Sequence, residues 1–391
     1  MALRRALVRL TVLTALSLGG CYSAHGARGR DASGDSDAGR EVDAAIELDA
    51  HVPADAGHEQ CAFVEGALLF EVEPLTDGFS SASRGIDALG RVYLEMDDRA
   101  MRRDPAGGIV SLDEVAGLAP GSIARIGNVA PDGAFAGALV DGARARAFVW
   151  TPSTGMIDLS LDDESDSMAI AIGGDGMVLV NEARRASLRT TSRDVLPLGL
   201  PPDPDPRRAV VDALDVAANG TVVGTSTADT SLDVWRAFAW RGDAGLELLP
   251  NDGALASRAL AVSDDGAIIV GTASALTRRE MTPVRWRERV LERIPLLDRP
   301  ELAWGAAQDV TIDGVIVGSD TGPSATGPTA YAWMLVGDVK IALDALLADG
   351  GWHVTRAVRV TRDLHVLAVA AREGSEVREA VLLRPRCDVA R

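Results

Sequence analysis

The chain has few of the residues on which common catalytic and metal sites are built. Of its 391 residues only 3 are Cys and 5 are His, and aromatic residues make up 4%. Beyond residue 60 only His353 and His365 remain, and no Gly-x-Ser-x-Gly, His-Glu-x-x-His, Cys-x-x-Cys or Gly-x-x-x-x-Gly-Lys motif occurs. The sequence therefore predicts no metal and no cofactor, and it identifies no catalytic residue.

Positive charge is also scarce. The 57 acidic residues outnumber the 39 Lys and Arg and give a formal charge of -18, which repels phosphate backbones and argues against a nucleic-acid partner. A hydrophobic content of 47% argues against a wholly disordered chain. Helical periodicity is absent, so the folded part is expected to be β-rich.

The N-terminus is typical of an export signal. Three Arg precede a short apolar run from Leu10 to Leu18, which is too short to span a membrane. The run Leu18-Gly19-Gly20-Cys21 resembles a bacterial lipobox, which implies that residues 1–20 are removed and that Cys21 becomes acylated. An ordinary cleaved signal with a nearby Cys is the alternative. Tyr22, where an Asp would resemble an inner-membrane retention signal, favours the outer membrane of a bacterial cell envelope.

Residues 22–60 are rich in Asp, Ala and Gly. They contain nine acids against three Arg and no aromatic residue after Tyr22. Such a segment cannot bury enough apolar surface to fold, and its like charges keep it extended. We therefore assign 21–60 to the acylated Cys and a disordered acidic tether, and 61–391 to the folded domain.

The folded part repeats itself around one kind of turn. Each repeat has a short strand ending in Ile or Val, a turn such as Asp-Gly or Asn-Gly, and an aliphatic run such as Val222-Val223-Gly224. These turns end at Gly90, Gly133, Gly176, Gly220, Gly266, Gly314 and Leu364, with spacings of 43, 43, 44, 46, 48 and 50 residues. Asn-Gly and Asp-Gly supply the positive φ angles of tight hairpins, so the flanking segments are predicted to be the first two strands of a meander.

A third and a fourth strand complete each repeat. Segments such as Arg236-Ala237-Phe238-Ala239-Trp240 form the third strand, and Gly155 to Leu159 exemplifies the fourth. Four antiparallel strands per roughly 45 residues, repeated seven times, predict an all-β, seven-bladed β-propeller, with six or eight blades as alternatives.

Two positions before each turn are predicted to have structural roles. An Ala often occurs seven residues before the turn residue, as at Ala213, and is expected where the innermost strands crowd around the axis. The aliphatic residue four positions before the turn, as at Val216, is expected to pack between blades. Because the two positions are three residues apart, which breaks simple strand alternation, a bulge or the start of the strand is predicted between them.

The third strand Arg-Ala-Phe-x-Trp, preceded by a Gly-x-Val-Val-Gly strand, resembles the HAF extracellular repeat, which is named for a His-Ala-Phe triplet. The resemblance covers residues 80–385 and implies a secreted or surface β-propeller whose role is generally unassigned. Arg146, Arg236 and Thr329 replace the His, and the first, third and last repeats lack the Trp.

The last repeat lacks a fourth strand. A strand-like segment at 66–72 precedes the first repeat, and we predict that this N-terminal strand completes the last blade beside 379–385. Cys61 and Cys387 flank these segments and are the only thiols left in an oxidising compartment once Cys21 is acylated. They are predicted to form a disulfide worth about 4–5 kcal/mol, with two free thiols as the alternative.

Recognition is expected on the face that carries the longest and most variable loops. Trp235, Trp304 and Trp352 do not follow the repeat and belong to this face, as does His353. An exposed Trp could stack on a sugar or anchor a protein partner, and the alternative is that each Trp plugs a gap between blades. In contrast, the Trp at 150, 240, 286 and 333 recur at one repeat position and are expected in the core between blades, and the Asp before each Gly is explained by turn chemistry.

Two function classes remain from the sequence. The first is a lipid-anchored, monomeric, non-catalytic propeller that binds a protein or polysaccharide at the cell envelope. The second is an envelope glycan hydrolase or lyase using acids of the variable face, because cleavage of a glycosidic bond needs only two carboxylates. A purely structural role also stays open. A deep axial pocket with converging Asp, Glu or Arg would favour the enzyme, and a flat aromatic rim would favour the binder.

Overall fold

The computed structural model describes residues 68–76, 81–97, 99–161, 165–201, 209–227, 235–274, 281–323 and 329–386. The signal at 1–20, the lipidation site Cys21, the tether and the pair Cys61 and Cys387 lie outside these ranges, so those expectations stay untested. No helix in the described ranges has the length and hydropathy needed to cross a membrane.

The described residues form 28 strands, which fall into four-stranded units. Strand β1 (Leu69–Pro74) stands before the repeats. Unit 1 contains β2 (Ser81–Ile86), β3 (Val92–Met96), β4 (Arg99–Arg103) and β5 (Ile109–Ser111). Unit 2 contains β6 (Ile123–Val129), β7 (Phe135–Asp141), β8 (Arg144–Thr151) and β9 (Gly155–Asp158). Unit 3 contains β10 (Ser167–Ile172), β11 (Val178–Glu182), β12 (Arg185–Arg189) and β13 (Val195–Pro197).

The later units follow the same order. Unit 4 contains β14 (Val210–Val216), β15 (Val222–Thr227), β16 (Trp235–Arg241) and β17 (Gly245–Leu248). Unit 5 contains β18 (Ser257–Val262), β19 (Ile268–Ser274), β20 (Met281–Arg287) and β21 (Val290–Arg293). Unit 6 contains β22 (Trp304–Val310), β23 (Ile316–Gly322), β24 (Thr329–Val336) and β25 (Val339–Ala342). Unit 7 contains β26 (Trp352–Val360), β27 (Val366–Arg372) and β28 (Arg378–Arg386).

Every unit is an antiparallel meander. Units 1 to 4 form separate four-stranded sheets, whereas units 5 and 6 are joined into an eight-stranded sheet by one parallel pair, Met281 with Trp304. Two short helices, α1 (Leu112–Val115) and a 3₁₀ helix (Leu343–Leu346), are additions that the sequence periodicity did not predict.

Strand β1 supplies the missing strand of unit 7, as predicted. It pairs antiparallel with β28 from Leu69 opposite Arg386 to Pro74 opposite Val381. Glu73 of β1 accepts a hydrogen bond from Arg384 of β28 at 2.6 Å and also pairs with Arg103 of unit 1. The strand that completes unit 7 is therefore also tied to the first unit.

The turns have the predicted chemistry. All six turn glycines have positive φ, between 72° and 86°. Leu364 takes the same left-handed conformation in unit 7 at φ 61°. Asp132, Asp175 and Asp265, which precede turn glycines, each accept a hydrogen bond from the backbone N–H two residues on, as Asp132 does from Ala134 N at 2.9 Å. This is the local turn pattern of Asp and Asn.

The first strand of each unit has the predicted irregularity. In units 1 and 3 to 7 the register shifts between the residues seven and five positions before the turn residue, as between Ala213 and Asp215. The expectation for the alanines needs correction. Ala213 and its equivalents are fully buried and lie in the apolar clusters between units, where close packing leaves room only for a small side chain.

Seven apolar clusters join neighbouring units. The cluster of Leu75, Val92, Leu94, Leu367, Ala380 and Leu382 joins unit 7 to unit 1, and so closes the circle. Trp240, Trp286 and Trp333 lie in these clusters at 5%, 1% and 0% exposure, as predicted for the recurring Trp. The described chain is thus an all-β propeller of four-stranded blades in which the N-terminal strand completes the last blade.

Candidate binding site on the axis of the ring

A cavity of about 620 Å³ lies where the first strands end. Its lining residues come from all seven units and are mostly those two to five positions before each turn residue. Because every unit contributes, the cavity lies on the axis of the ring, on the face of the turns between first and second strands. This is the face opposite to the variable loops.

Three charged side chains meet in the wall of this cavity: Asp215 of β14, Asp309 of β22 and Arg359 of β26. Each of them stands five positions before the turn residue of its unit. Asp215 Oδ2 accepts a hydrogen bond from Val262 N at 3.0 Å, and Asp309 Oδ2 accepts one from Val360 N at 2.8 Å. Each carboxylate therefore also fastens its own first strand to the first strand of the next unit.

Arg359 lies between these acids and faces the cavity. Its Nη1 donates to Asp309 Oδ1 at 3.2 Å, and its side chain is 26% exposed against 9% for Asp309. Among the described residues Asp309 is its one hydrogen-bond acceptor, so the remaining N–H groups are available to a ligand in the cavity. A guanidinium presents its donors in a fixed planar fork, which suits it to fixing the orientation of a polar group.

Burial governs the titration of the two acids. Burial raises the pKa of Asp215 to about 6, with Asp309 adding to the increase and Arg359 opposing it. Burial likewise raises the pKa of Asp309, against the attraction of Arg359 and the hydrogen bond from Val360 N. Burial alone would lower the pKa of Arg359, but Asp309 and Asp215 outweigh it and leave that pKa raised. Arg359 is thus a fixed positive charge, and Asp215 can exchange a proton near neutrality.

The rim of the cavity adds exposed charges. Asp132, Asp264 and Arg362 line it together with Thr311 and Thr361. No aromatic side chain belongs to the lining, so ring stacking cannot be the mode of recognition here. The rim thus offers hydrogen-bond donors from the Arg and Thr side chains and acceptors from the Asp and Thr side chains within a small volume. This suits a ligand whose own groups both donate and accept hydrogen bonds.

Within the described ranges, no three His, Cys, Asp or Glu side chains come close enough together to hold a metal ion. The charged cluster in the cavity contains two acids and an arginine, and a guanidinium between carboxylates is a counter-ion for them rather than a metal ligand.

The predicted Trp residues lie at the other end of the strands. Trp304 and Trp352 begin β22 and β26, and Trp235 begins β16. Trp304 is 36% exposed, whereas Trp352 is half-buried against the cluster between units 6 and 7. Arg372 lies over the Trp352 ring at 4.9 Å, and Arg258 lies over the Trp235 ring at 5.9 Å. The structure therefore does not bring the three Trp into one site with the axial cavity.

His353 belongs to a small cluster between units 6 and 7. Its Nδ1 lies 2.6 Å from Asp344 Oδ2, and its ring meets Tyr331 edge to face at 5.0 Å. Arg299 covers the Tyr331 ring at 3.9 Å. The hydrogen bond with Asp344 raises the pKa of His353, and burial opposes it. The imidazole is thus occupied in joining two units at the predicted face.

Sequence reasoning missed the charged cluster of the cavity, although a signal was present. The position five before the turn residue holds Gly85, Asn128, Ala171, Asp215, Ala261, Asp309 and Arg359. A charge at a position that is small and uncharged in the other repeats stands out once the repeats are aligned. The sequence could not show that these three charges face the same cavity.

No protein-family model matches the chain, and no curated protein matches it. Solved structures do match. Oligogalacturonate lyase from Vibrio parahaemolyticus is similar with a TM-score of 0.54 at 12% identity, over 81% of this chain and 97% of that chain. The β-propeller domain of the Trilobed protease from Pyrococcus furiosus is similar with a TM-score of 0.50 at 12% identity, over 81% and 95%.

The tricorn protease is similar with a TM-score of 0.50 at 9% identity, over 81% of this chain but 36% of that chain. The chain thus spans about a third of the tricorn protease and nearly all of the other two structures. At such identities the likeness shows the fold alone, and the fold that it supports is the β-propeller.

Proposed function

We propose that this protein is a non-catalytic binding propeller of the bacterial cell envelope, held by lipid on Cys21, that binds a hydroxyl-rich segment of a polysaccharide in the axial cavity. The observation that carries the proposal is Arg359, which faces a cavity of about 620 Å³ with N–H donors to spare and with Asp215 and Asp309 beside it. Sugar hydroxyls both donate and accept hydrogen bonds, and this wall offers both partners. The resemblance to HAF repeats, which implies a surface protein, is in keeping with it.

The arrangement of the carboxylates supports binding over catalysis. An oxygen of each acid accepts a backbone N–H of the next unit, and the other oxygen of Asp309 accepts Arg359. General acid-base cleavage needs carboxyl groups that are free to reach the scissile bond from both sides. These acids instead hold the wall and Arg359 in place.

An enzyme on this cavity is the second candidate. It meets the criterion of an axial pocket with converging Asp and Arg, and burial places the pKa of Asp215 at about 6, where a general acid could work. A glycan array read for both binding and cleavage separates the two candidates. Cleavage that is lost in Asp215→Asn while binding persists would establish the enzyme and end the binding proposal.

The binding proposal itself is tested by removing the donors of Arg359. Because Arg359→Gln leaves two buried acids without a counter-charge and can destabilise the fold, the main variant is Asp309→Asn/Arg359→Gln, which keeps the cavity near its present net charge. We expect it to bind the array-identified glycan at least about tenfold more weakly, since charge-assisted hydrogen bonds are worth about 1.5–3 kcal/mol.

Arg289→Gln is the matched control. Arg289 is 62% exposed on the turn between β20 and β21, and its substitution should leave glycan affinity unchanged. If the double variant and the wild type bind the glycan with equal affinity, and circular dichroism shows that both are folded, the glycan does not bind in the cavity. If the protein captures a protein ligand and no glycan, the proposed polysaccharide ligand is wrong and the partner is a protein.

A further inference from the structure

Exposed side chains on the innermost strands mark the surface of the axial channel. Each first strand is the innermost strand of its unit and pairs with its second strand. Arg125 of β6 and Arg356 of β26 are exposed on such strands. Exposed side chains of innermost strands border the axial channel, and on this ground we place both guanidinium groups there.

Three arginines stand at similar levels along one side of this channel. Arg125 and Arg356 precede their turn residues by eight positions, and Arg84 of β2 precedes its own by six. The levels are similar because the residue next to each, Ile126, Ala357 or Ser83, pairs with the residue four positions after the turn residue. Arg125 and Arg356 lie one residue from that level on the variable-loop side, and Arg84 lies one residue from it on the turn side. We call Arg84, Arg125 and Arg356 the arginine arc.

The three units that carry the arc are neighbours. Apolar clusters join unit 7 to unit 1 and unit 1 to unit 2. The arc is also separate from the axial cavity, whose charged cluster stands at the position five before the turn residue, nearer the turn end of the same strands. The channel therefore has a second charged zone, farther toward the variable-loop face.

The positive charge of the arc is largely uncompensated. Among the described residues none forms an ion pair or hydrogen bond with the side chain of Arg125 or Arg356. Arg84 Nη2 pairs with Glu95 at 2.5 Å, but its Nε is buried without an acceptor. The other carboxylate oxygen of Glu95 accepts a hydrogen bond from Ile126 N at 3.4 Å, so Glu95 compensates Arg84 alone.

The environment of Arg356 disfavours its charged form. The side chain contacts solvent in the channel but is surrounded by protein on most sides, and burial lowers its pKa. The like charge of Arg84 lowers that pKa further. The chain has 57 acidic residues against 39 Lys and Arg, so the lack of an acidic partner at the arc is not due to a shortage of acids. Unpaired charges beside one another weaken a fold and recur at sites that bind an opposite charge.

We propose that the arginine arc binds an anionic ligand with two or more carboxylate or sulfate groups in the channel. Guanidinium forks match these planar or tetrahedral oxyanions through paired hydrogen bonds. Two sources share this chemistry, namely a free polycarboxylate and an acidic polysaccharide chain. The proposal does not depend on the axial cavity.

The test uses the full-length lipoprotein in detergent, with citrate and a uronic acid hexamer as probes. Each probe should raise the melting temperature of the wild type by several degrees at saturation and lose affinity as salt rises. Arg125→Gln/Arg356→Gln should weaken both probes at least about tenfold. Tighter binding of the hexamer than of citrate assigns a polymer as ligand, and the reverse assigns a small anion.

Arg378→Gln is the matched control, because Arg378 is exposed at the start of β28 in the same unit, two strands from the axis. It should bind both probes as the wild type does. Without ligand, Arg356→Gln should melt at or above the wild-type temperature, since it removes an unpaired charge. A lower melting temperature would indicate a structural role and overturn the proposal.

Two further results would also overturn it. One is unchanged affinity for both probes in Arg125→Gln/Arg356→Gln. The other is anion binding that is lost in Asp309→Asn/Arg359→Gln but kept in the arc variant, since the anion would then occupy the axial cavity. That second result would not decide whether the cavity also binds a glycan, which the glycan-affinity measurement on Asp309→Asn/Arg359→Gln tests separately.

Discussion

At the scale of single residues, the first strand of each unit separates structural from variable positions. The residues seven and four positions before the turn residue are buried between units, as Ala357 and Val360 are in unit 7. The position five before it is a buried Ala in units 3 and 5 but Asp or Arg in units 4, 6 and 7, where it lines the axial cavity. The position eight before it is an exposed Arg in units 2 and 7. Packing fixes the first pair of positions, whereas the second pair changes in charge from unit to unit and can specify what enters the channel.

The titration of Asp215 gives a residue-scale prediction. Its pKa is raised by burial from 3.8 to about 6, so the folded state holds a proton that the unfolded state has released between these values. Stability present below pH 4 is therefore lost as pH rises through about 6. Asp215→Asn cannot ionise and can still accept from Val262 N, so at pH 7.5 it should raise the free energy of unfolding by roughly 1–3 kcal/mol.

The measurement is urea unfolding of wild type and variant between pH 4 and pH 8. The two should be nearly equal at pH 4, diverge as pH rises from about 4 to about 6, and differ by a constant amount above that. Asp265→Asn is the control, and its effect on the free energy of unfolding should have the opposite sign. A hydrogen bond from Ser263 and one from the backbone at Ala267 lower the pKa of Asp265, so its ionised form stabilises the fold and the substitution should destabilise it. A constant difference between Asp215→Asn and wild type at every pH would show that Asp215 is ionised throughout.

At the scale of elements, β1 contributes more to the stability of the fold than its six residues suggest. Phe70 is fully buried in the cluster between units 6 and 7, opposite Pro385 of β28. Phe70→Ala should therefore lower the free energy of unfolding by about 3–5 kcal/mol, because it removes a large buried side chain and leaves a cavity. Thermal or urea unfolding of the full chain measures this.

Leu69 supplies the control for that prediction. It is the neighbouring residue on β1 but is 40% exposed, because successive side chains of a strand point to opposite faces. Leu69→Ala should change stability by no more than about 0.5 kcal/mol. Similar small effects for both substitutions would mean that β1 is dispensable for closing the ring.

At the scale of the whole molecule, the proposed location rests on Cys21, which lies outside the propeller. If Cys21 carries the lipid, Cys21→Ser should move the protein from the membrane to the soluble exported fraction, because the acyl chains supply its hold on the membrane. Cell fractionation with labelled palmitate measures both location and acylation. Cys61→Ser, which keeps Cys21, should stay in the membrane and keep the label.

A membrane-bound, unlabelled Cys21→Ser protein would contradict lipid anchoring. Retention would then have to come from a binding partner in the envelope, and the propeller itself would be responsible for its location.

The sequence alone predicted the repeating unit because that unit is set by local chemistry. Asp-Gly and Asn-Gly fix the hairpins, as the positive φ of Gly220 and Gly266 confirms. The three-residue offset between Ala213 and Val216 predicted either a bulge or a strand start there, and the register shows that it is a bulge. The pairing of β1 with β28 was also predictable, since an unpaired strand stood at one end of the chain and an incomplete unit at the other. The short helices were missed because a single turn leaves no periodic pattern.

The candidate sites were decided by the tertiary structure. Asp215, Asp309 and Arg359 come from three different units, and they share one cavity only because the closed ring brings the ends of these first strands together. Arg84 and Arg356 belong to the first and last units, and they are neighbours only through the contact between units 7 and 1. Turn chemistry and strand alternation act over a few residues and can be read from the sequence, whereas the convergence of charges on an axis is a property of the closed ring.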